Sequence, residues 1–94
     1  MLKKLDPLLH SELRLAIMSL LITVNKAEFT YLKEQTEATA GNLSVQLTKL
    51  EEAGYIKVKK GYKGKMPQTT CTITKKGITA FEKYVDDLKE YLKL

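Results

Sequence analysis

The sequence predicts one mainly α-helical domain that contains a β-hairpin. Two changes in the spacing of apolar residues support this prediction. Apolar residues recur every three or four positions up to Gly54, alternate with polar residues from Tyr55, and return to helical spacing after Thr74. A period of 3.6 residues is typical of an amphipathic helix, and a period of two is typical of a strand. A length of 94 residues fits a single domain, residues 1–94.

The composition is that of a folded, globular chain. Hydrophobic residues make up 44% of the sequence and charged residues 29%. The longest apolar run, Leu15 to Val24, is far shorter than the roughly 20 residues that cross a bilayer, and the N-terminus does not resemble a signal peptide. The single cysteine suits a reducing compartment. We therefore expect a cytoplasmic protein with no membrane partner.

The first helix is expected from about Ser11, its N-cap, to Val24. Asp6 followed by Pro7 is a second possible start, since proline suits the first helical position. Whether residues 6–10 join this helix or form their own turn stays open. The apolar stripe of the helix consists of Leu13, Ile17, Leu20, Leu21 and Val24.

A second, short helix and a tight turn come next. Residues 25–28 are expected to form a connector, and Thr30 is a good N-cap for a helix from Tyr31 to about Glu37. About three residues separate this helix from the third one, which is the pattern of a helix-turn-helix.

The third helix is expected to begin after Thr39, its cap, and to run to Ala53, where it is followed by Gly54, a terminating residue that readily adopts a positive φ. Leu43, Leu47 and Leu50 form its buried stripe. Near its N-terminal half the opposite face is small and polar and carries no acid before Glu51 and Glu52. Such a surface suits entry into a major groove, because bulky groups obstruct approach and acids repel phosphate. The alternative is an ordinary solvated helix face. The opposite face carries Gly41, Asn42, Val45, Thr48, Lys49 and Glu52, with Ser44 on its flank.

A β-hairpin with a basic tip is expected after the third helix. Residues 55–60 alternate in polarity, with Ile56 and Val58 on one face and Lys57 and Lys59 on the other. Two glycines and a proline predict a loop at residues 61–67, and β-branched residues predict a strand at residues 68–73. We expect the tip to carry Lys60, Tyr62, Lys63 and Lys65.

Positive charge is concentrated in this hairpin and the start of the last helix. Seven lysines and no acid lie between Ala53 and Phe81, while the other nine basic and eleven acidic residues leave the rest of the chain at −2. A concentrated positive field is what binding to a polyanion requires. The alternative is a solvated, lysine-rich loop.

The stretch from Gly41 to Ile56 resembles the recognition-helix signature of small prokaryotic winged-helix transcriptional regulators of the MarR and ArsR families. It has a Gly-Asn-Leu-Ser start and a Leu-Glu-Glu-Ala-Gly-Tyr-Ile end. Residues 14–21 and 29–33 are similar to the first two helices of that family, and residues 73–77 to its entry into the last helix. The resemblance covers about Ser11 to Leu92. It implies a winged helix-turn-helix with a three-helix core, a wing and a long C-terminal helix.

The resemblance and the polar helix face together predict a regulator that binds double-stranded DNA. The wing carries only lysines, where relatives often have an arginine, so it cannot insert a guanidinium into the minor groove. The sequence identifies no effector, and we expect any small-molecule effector to bind at a dimer interface. The predicted DNA contacts are Thr39, Gly41, Asn42, Ser44, Val45, Thr48, Lys49, Lys60, Tyr62, Lys63 and Lys65.

The last helix, about Lys75 to Leu92 with Thr74 as its cap, is expected to form a homodimer. Its apolar residues are spaced 3, 4, 3 and 4, which is typical of a coiled-coil seam. The alternative is that this stripe packs only on its own domain. Leu2, Leu5, Leu8 and Leu9 could join the interface. The predicted seam is Ile78, Phe81, Val85, Leu88 and Leu92.

No residue pattern predicts catalysis, a metal site or a cofactor. His10 stands alone, and Cys71 is expected to be a small, partly buried strand residue. The sequence lacks a nucleophile–base set, a phosphate loop and paired carboxylates. We therefore expect a protein that is not an enzyme.

A DNA-binding regulator and a winged-helix module that binds only proteins remain as competing hypotheses, and salt-dependent binding to heparin separates them. We expect the protein to be retained on heparin at low salt and to elute steeply as salt rises, because polyanion binding releases counterions. Elution with neutral proteins of equal size would instead favour the protein-interaction module.

Overall fold

The computed structural model describes residues 2–93, which form four helices and a three-stranded antiparallel sheet. The strands lie in the order β1-β3-β2. This architecture is the predicted winged helix-turn-helix, and none of the helices described is long and apolar enough to span a membrane. The elements are α1 (Glu12–Val24), β1 (Lys26–Glu28), α2 (Phe29–Thr36), α3 (Ala40–Glu52), β2 (Ile56–Lys63), β3 (Met66–Ile73) and α4 (Lys75–Leu92).

The caps predicted for the third and fourth helices are confirmed. The hydroxyl of Thr39 accepts a hydrogen bond from the backbone N–H of Asn42 at 3.1 Å. The hydroxyl of Thr74 accepts one from the N–H of Gly77 at 3.0 Å. Gly54 has a φ of 80°, as expected of the residue that follows a helix end.

Residues 6–10 form a turn of their own before α1. The N–H of Leu8 donates to the Asp6 carboxylate, and the N–H of His10 donates to the Asp6 carbonyl, both at 2.9 Å. Ser11 occupies the N-cap position of α1 but makes no side-chain capping bond. Val24, predicted in the apolar stripe, is 43% exposed, and Met18 is buried in the stripe instead.

The predictions for residues 25–31 were wrong in two respects. The expected connector contains β1, whose Ala27 lies opposite Cys71 in β3. The second helix begins at Phe29 with Glu28 in its N-cap position, so Thr30 is inside the helix rather than its cap. Three residues are too few to show a readable period, and the strand's hydrogen-bond partners lie more than forty residues away in sequence.

The loop predicted at residues 61–67 is also wrong, because the two strands continue almost to the tip. Lys63 pairs with Met66, and only Gly64 and Lys65 form the turn. Gly64, the first of the two turn residues, has a φ of 62°, as in a type II′ hairpin turn. Pro67 is tolerated because β1 has already ended, so no strand on that side requires its N–H.

One hydrophobic core lies between the helices and the inner face of the sheet. Cys71 is fully buried there, more deeply than predicted. Burial, together with the negative charge of Glu51, raises the pKa of the Cys71 thiol to about 11, so the thiol stays protonated at neutral pH. The core consists of Leu9, Ile17, Met18, Leu21, Ala27, Leu32, Leu43, Leu47, Leu50, Ile56, Cys71, Ile73 and Tyr84.

The N-terminal segment, residues 2–10, packs along α4. The Tyr91 hydroxyl donates to the carbonyl of Lys3 at 2.7 Å, and the Tyr84 hydroxyl lies 3.0 Å from Nδ1 of His10. Leu9, which the sequence allowed at a dimer interface, is fully buried in its own core. The segment therefore covers one side of α4 within the same chain.

Tyr55 links the N-terminal segment to the corner between α3 and β2. Its hydroxyl donates to the Asp6 carboxylate at 2.5 Å. Partial burial and this bond to a negative group raise the pKa of the Tyr55 phenol to about 12.

Gly77 in the first turn of α4 lies directly against the backbone of Tyr55. A Cβ at Gly77 would be 2.1 Å from the Tyr55 carbonyl oxygen. No real Cβ approaches a backbone atom so closely, so α4 can dock at this corner only with glycine at this position.

We expect Gly77→Ala to lower the free energy of unfolding by about 3 kcal/mol, since backbone rather than a flexible side chain must move. Gly41→Ala is the matched control, because nothing lies within 4 Å of the corresponding position in α3. It should raise stability by up to about 1 kcal/mol. Urea unfolding measures both changes, and equal stability of the two variants would contradict the close contact.

Candidate nucleic-acid interface

The predicted DNA contacts on α3 lie together on one exposed face. Val45, at the centre of this face, is 51% exposed, whereas the leucines of the opposite stripe are at most 4% exposed. The face is small and polar over its first two turns, and Thr39 lies at its N-terminal end. The exposed members are Thr39, Gly41, Asn42, Ser44, Val45, Thr48 and Lys49.

A groove of about 350 Å³ separates α3 from the hairpin. Ser44 and Thr48 line its helix side, and Lys60 and Thr69 line its sheet side. Lys60 and Thr69 are directly paired across β2 and β3. The groove thus presents three hydroxyls and one ammonium group, which are all groups that contact DNA phosphates.

Lys60 therefore lies in the middle of a strand and not at the tip, where the sequence placed it. Sequence reasoning also missed Thr69. Both errors arise because the predicted strands were shorter than the observed ones. The register that pairs Lys60 with Thr69 was therefore not apparent. Alternation along β3 from the buried Cys71 would have placed Thr69 on the inner face.

Glu51 lines the same groove, but its carboxylate is engaged by the backbone. Its Oε2 accepts a hydrogen bond from the N–H of Val58 at 3.1 Å. This bond joins the last turn of α3 to β2. It therefore fixes the angle between helix and hairpin. It also holds the Glu51 carboxylate at the wall of the groove, where a phosphate would otherwise meet a carboxylate with no hydrogen bond.

A chain of side-chain hydrogen bonds that sequence reasoning missed holds Asn42 in place. Nη1 of Arg14 donates to Oε1 of Gln46 at 2.5 Å, and Nε2 of Gln46 donates to Oδ1 of Asn42 at 3.0 Å. Arg14 is itself anchored by a bond from its Nε to the carbonyl of Leu8 at 2.6 Å. The Asn42 carboxamide N–H groups are left to donate outward, and the i,i+4 spacing of Asn42 and Gln46 was the available signal.

The tip of the wing, residues 62–66, is the most exposed part of the hairpin. Tyr62 is 76% exposed and Met66 is 70% exposed, and the lysines Lys63 and Lys65 lie between them. Lys63 is 3.9 Å from the carboxylate of Glu28, which also accepts a hydrogen bond from the amide of Gln68. Glu28 was missed as a neighbour of the wing because the sequence did not reveal β1.

Part of the predicted dimer seam on α4 packs against the domain's own core. Ile78, Phe81 and Leu88 are half-buried against that core. Leu92, at the far end of the helix, is 55% exposed. The most buried side chains on α4 are instead Tyr84 and Asp87, the latter paired with Lys83 at 2.5 Å.

Within residues 2–93, no cluster of three or more His, Cys, Asp or Glu residues has the arrangement of a metal site.

Comparison with known proteins places the chain and its fold in a family. A family model for a winged helix DNA-binding domain matches residues 13–92. An uncharacterised protein from Methanocaldococcus jannaschii is 40% identical over 85 residues, which cover 89% of this chain and 91% of that protein.

Solved structures share the architecture. A transcriptional regulator homologue from Pyrococcus horikoshii has a TM-score of 0.86 at 29% identity, over 92% of this chain and 85% of its own. The YusO protein from Bacillus subtilis shares the fold with a TM-score of 0.74 at 14% identity, over 95% and 59% of the two chains. The resemblance to small winged-helix regulators is thereby confirmed, and this chain belongs to the winged helix DNA-binding domain family.

Proposed function

We propose that this protein is a sequence-specific transcriptional regulator that binds double-stranded DNA with α3 in the major groove. The observation that carries the proposal is the continuous surface formed by the small polar face of α3, the hydroxyl-lined groove and Lys60. A helix must approach base edges closely, and this face has no bulky group or free acid over its first two turns.

The two sides of this surface are suited to different parts of the duplex. Asn42 and Ser44 face outward from α3, where they can reach base edges, with Asn42 held by Gln46. Lys60 and Thr69 face the groove, where a phosphate backbone can pass between helix and wing. The exposed lysines Lys63 and Lys65 then extend along the next backbone or minor groove.

Selection of bound sequences from a pool of random duplex DNA tests this proposal directly. Enrichment of one motif supports sequence-specific reading by α3. Binding without enrichment would limit the function to non-specific DNA contact, and the absence of duplex binding at low salt would leave the protein-interaction module as the better hypothesis.

We expect Asn42→Ala to weaken binding to the selected site by about 1–3 kcal/mol and binding to random duplex much less, because it removes a donor to base edges. Thr23→Ala is a control on the exposed end of α1, away from this surface. Fluorescence anisotropy on both duplexes measures the difference. Equal losses on the two duplexes would show that Asn42 contacts the backbone and not bases.

We expect the double variant Lys63→Ala/Lys65→Ala to weaken binding to all duplexes alike. Each lost phosphate contact should flatten the slope of log K against log salt by about 0.9. The matched control is Lys75→Ala/Lys89→Ala, which removes the same charge from α4. If the wing variant binds random DNA like the parent at low salt, these lysines do not contact phosphate.

We further propose that the protein acts as a homodimer through α4. Support comes from the 3-4 spacing of its apolar residues and from the apolar end of the molecule, where Leu2, Tyr91 and Leu92 are all more than 40% exposed. A two-fold dimer would place two copies of α3 on half-sites about one helical turn apart, so the operator would be palindromic.

Leu92→Lys should raise the dimer dissociation constant at least about tenfold, since burying a leucine contributes about 1.5–3 kcal/mol. Val45→Lys is the matched control, because Val45 on α3 is 51% exposed and Leu92 is 55% exposed. Sedimentation velocity over a concentration series measures both. A monomeric parent protein, or an unchanged Leu92→Lys variant, would rule out this interface.

A further inference from the structure

The sheet has a second face, which points away from α3 and from the core. Residues alternate along a strand, and Ile56, Cys71 and Ile73 are buried on the inner face. The intervening residues therefore lie on the outer face. By register, one row across the sheet is Lys57, Thr72 and Lys26, and the next row is Lys59, Thr70 and Glu28.

In the part of the chain that the structure describes, no helix covers this outer face. It contains a shallow depression of about 380 Å³, which is lined only by sheet residues. Lys26, Lys57 and Lys59 are exposed, while Thr70 and Thr72 between them are half-buried. The residues that line the depression are Lys26, Lys59, Gly61, Tyr62, Gln68, Thr70 and Thr72.

The positive charge of this face is largely free. Among residues 2–93, the carboxylate–ammonium pairs within 4 Å are Lys63–Glu28 and Lys83–Asp87. Lys26, Lys57 and Lys59 therefore have no such partner. Neighbouring strands are about 4.8 Å apart and alternate residues about 6.7 Å apart, so the backbone positions of these three lysines lie within about 12 Å of one another.

The chemistry of the outer face matches a nucleic-acid backbone better than a protein. The centres of protein interfaces are depleted in lysine and depend on buried aromatic or apolar anchors. Here lysine and threonine occupy most of the two central rows, and Glu28 is paired with Lys63. The exposed apolar side chains Tyr62 and Met66 lie at the wing tip, with Tyr62 at one end of the depression. Lysine and threonine are standard phosphate ligands, and a duplex presents about one charge per 1.7 Å of its axis.

We propose that the outer face of the sheet binds a second segment of double-stranded DNA, so that one protein molecule can bridge two duplexes. The inference rests on the proposed function, since α3 and the groove hold the first duplex. Lys57 and Lys59 lie on the face opposite to Lys60, so a duplex seated against α3 leaves them directed away from it.

The test is a bridging assay with the full chain. One duplex is fixed on beads, protein is bound to it, excess protein is washed away, and recovery of a second, labelled random-sequence duplex is measured at low salt. The variant is Lys26→Gln/Lys57→Gln/Lys59→Gln, which keeps the aliphatic length of the side chains. The control is Lys3→Gln/Lys75→Gln/Lys89→Gln, which removes the same charge from exposed positions outside the sheet.

We expect the parent and the control to recover the second duplex. The outer-face variant should recover at least about sixfold less of it. The salt dependence of bridging should flatten by about 0.9 per lost contact. Affinity for a single selected duplex should change less than about threefold in the variant, because α3 and the groove are intact.

Bridging that persists in the outer-face variant would overturn the proposal, since two recognition helices of a dimer would then explain it. So would a parent protein that binds one duplex tightly but recovers no second one. Displacement of the second duplex by double-stranded RNA at much lower concentration than by DNA would show that the outer face prefers RNA, which also overturns it. Failure of the parent to bind even the first duplex would overturn the proposed function itself.

Discussion

The corner where Tyr55 meets the start of α4 holds the parts of this domain together. The Tyr55 carbonyl accepts a hydrogen bond from the N–H of Thr74 at 3.0 Å, and the Thr74 hydroxyl donates to the carbonyl of Gly54 at 2.6 Å. Gly77 allows the first turn of α4 to lie against the same carbonyl. These contacts close the base of the hairpin, because they join the residue before β2 to the residue after β3.

The two elements proposed to contact DNA, α3 and the hairpin, meet at this corner. Gly54 ends α3 with a positive φ and turns the chain into β2, so the recognition face and the wing leave the corner at a set angle. The hydrogen bond from the N–H of Val58 in β2 to Glu51 in the last turn of α3 holds the same angle. On the other side, the Tyr55 hydroxyl holds Asp6 and brings the N-terminal segment against α4. A single polar corner thus couples the surface proposed to bind DNA to the helix proposed for dimerisation.

The three-stranded sheet explains how one run of lysines can serve two surfaces. Pairing of β3 with both neighbours buries Cys71 and Ile73 and places alternate residues outward. Lys60 therefore shares a groove with α3, whereas Lys57 and Lys59 lie on the opposite side of the sheet. A net charge of +5 gives no indication of this division, which follows from the alternation of side chains along β2.

Helices with strong local signals were determined by the sequence itself. The leucine stripe of α3, the caps at Thr39 and Thr74, and the glycine after α3 are set by periodicity and by bonds between residues three or four positions apart, which sequence inspection can follow. The exposed face of α3 follows directly, because it is the complement of that stripe. The order of the four helices and the hairpin, and the family resemblance, were readable for the same reason.

Tertiary structure alone decided the features that depend on distant partners. β1 exists only because β3 supplies its hydrogen bonds, and its presence brings Glu28 beside Lys63. The strands extend through Gly61 and Pro67 against their local preference, because cross-strand pairing compensates for weak propensity. Arg14 reaches Asn42 through Gln46 only after α1 and α3 have packed together. Such contacts join residues far apart in sequence, and no local period or cap encodes them.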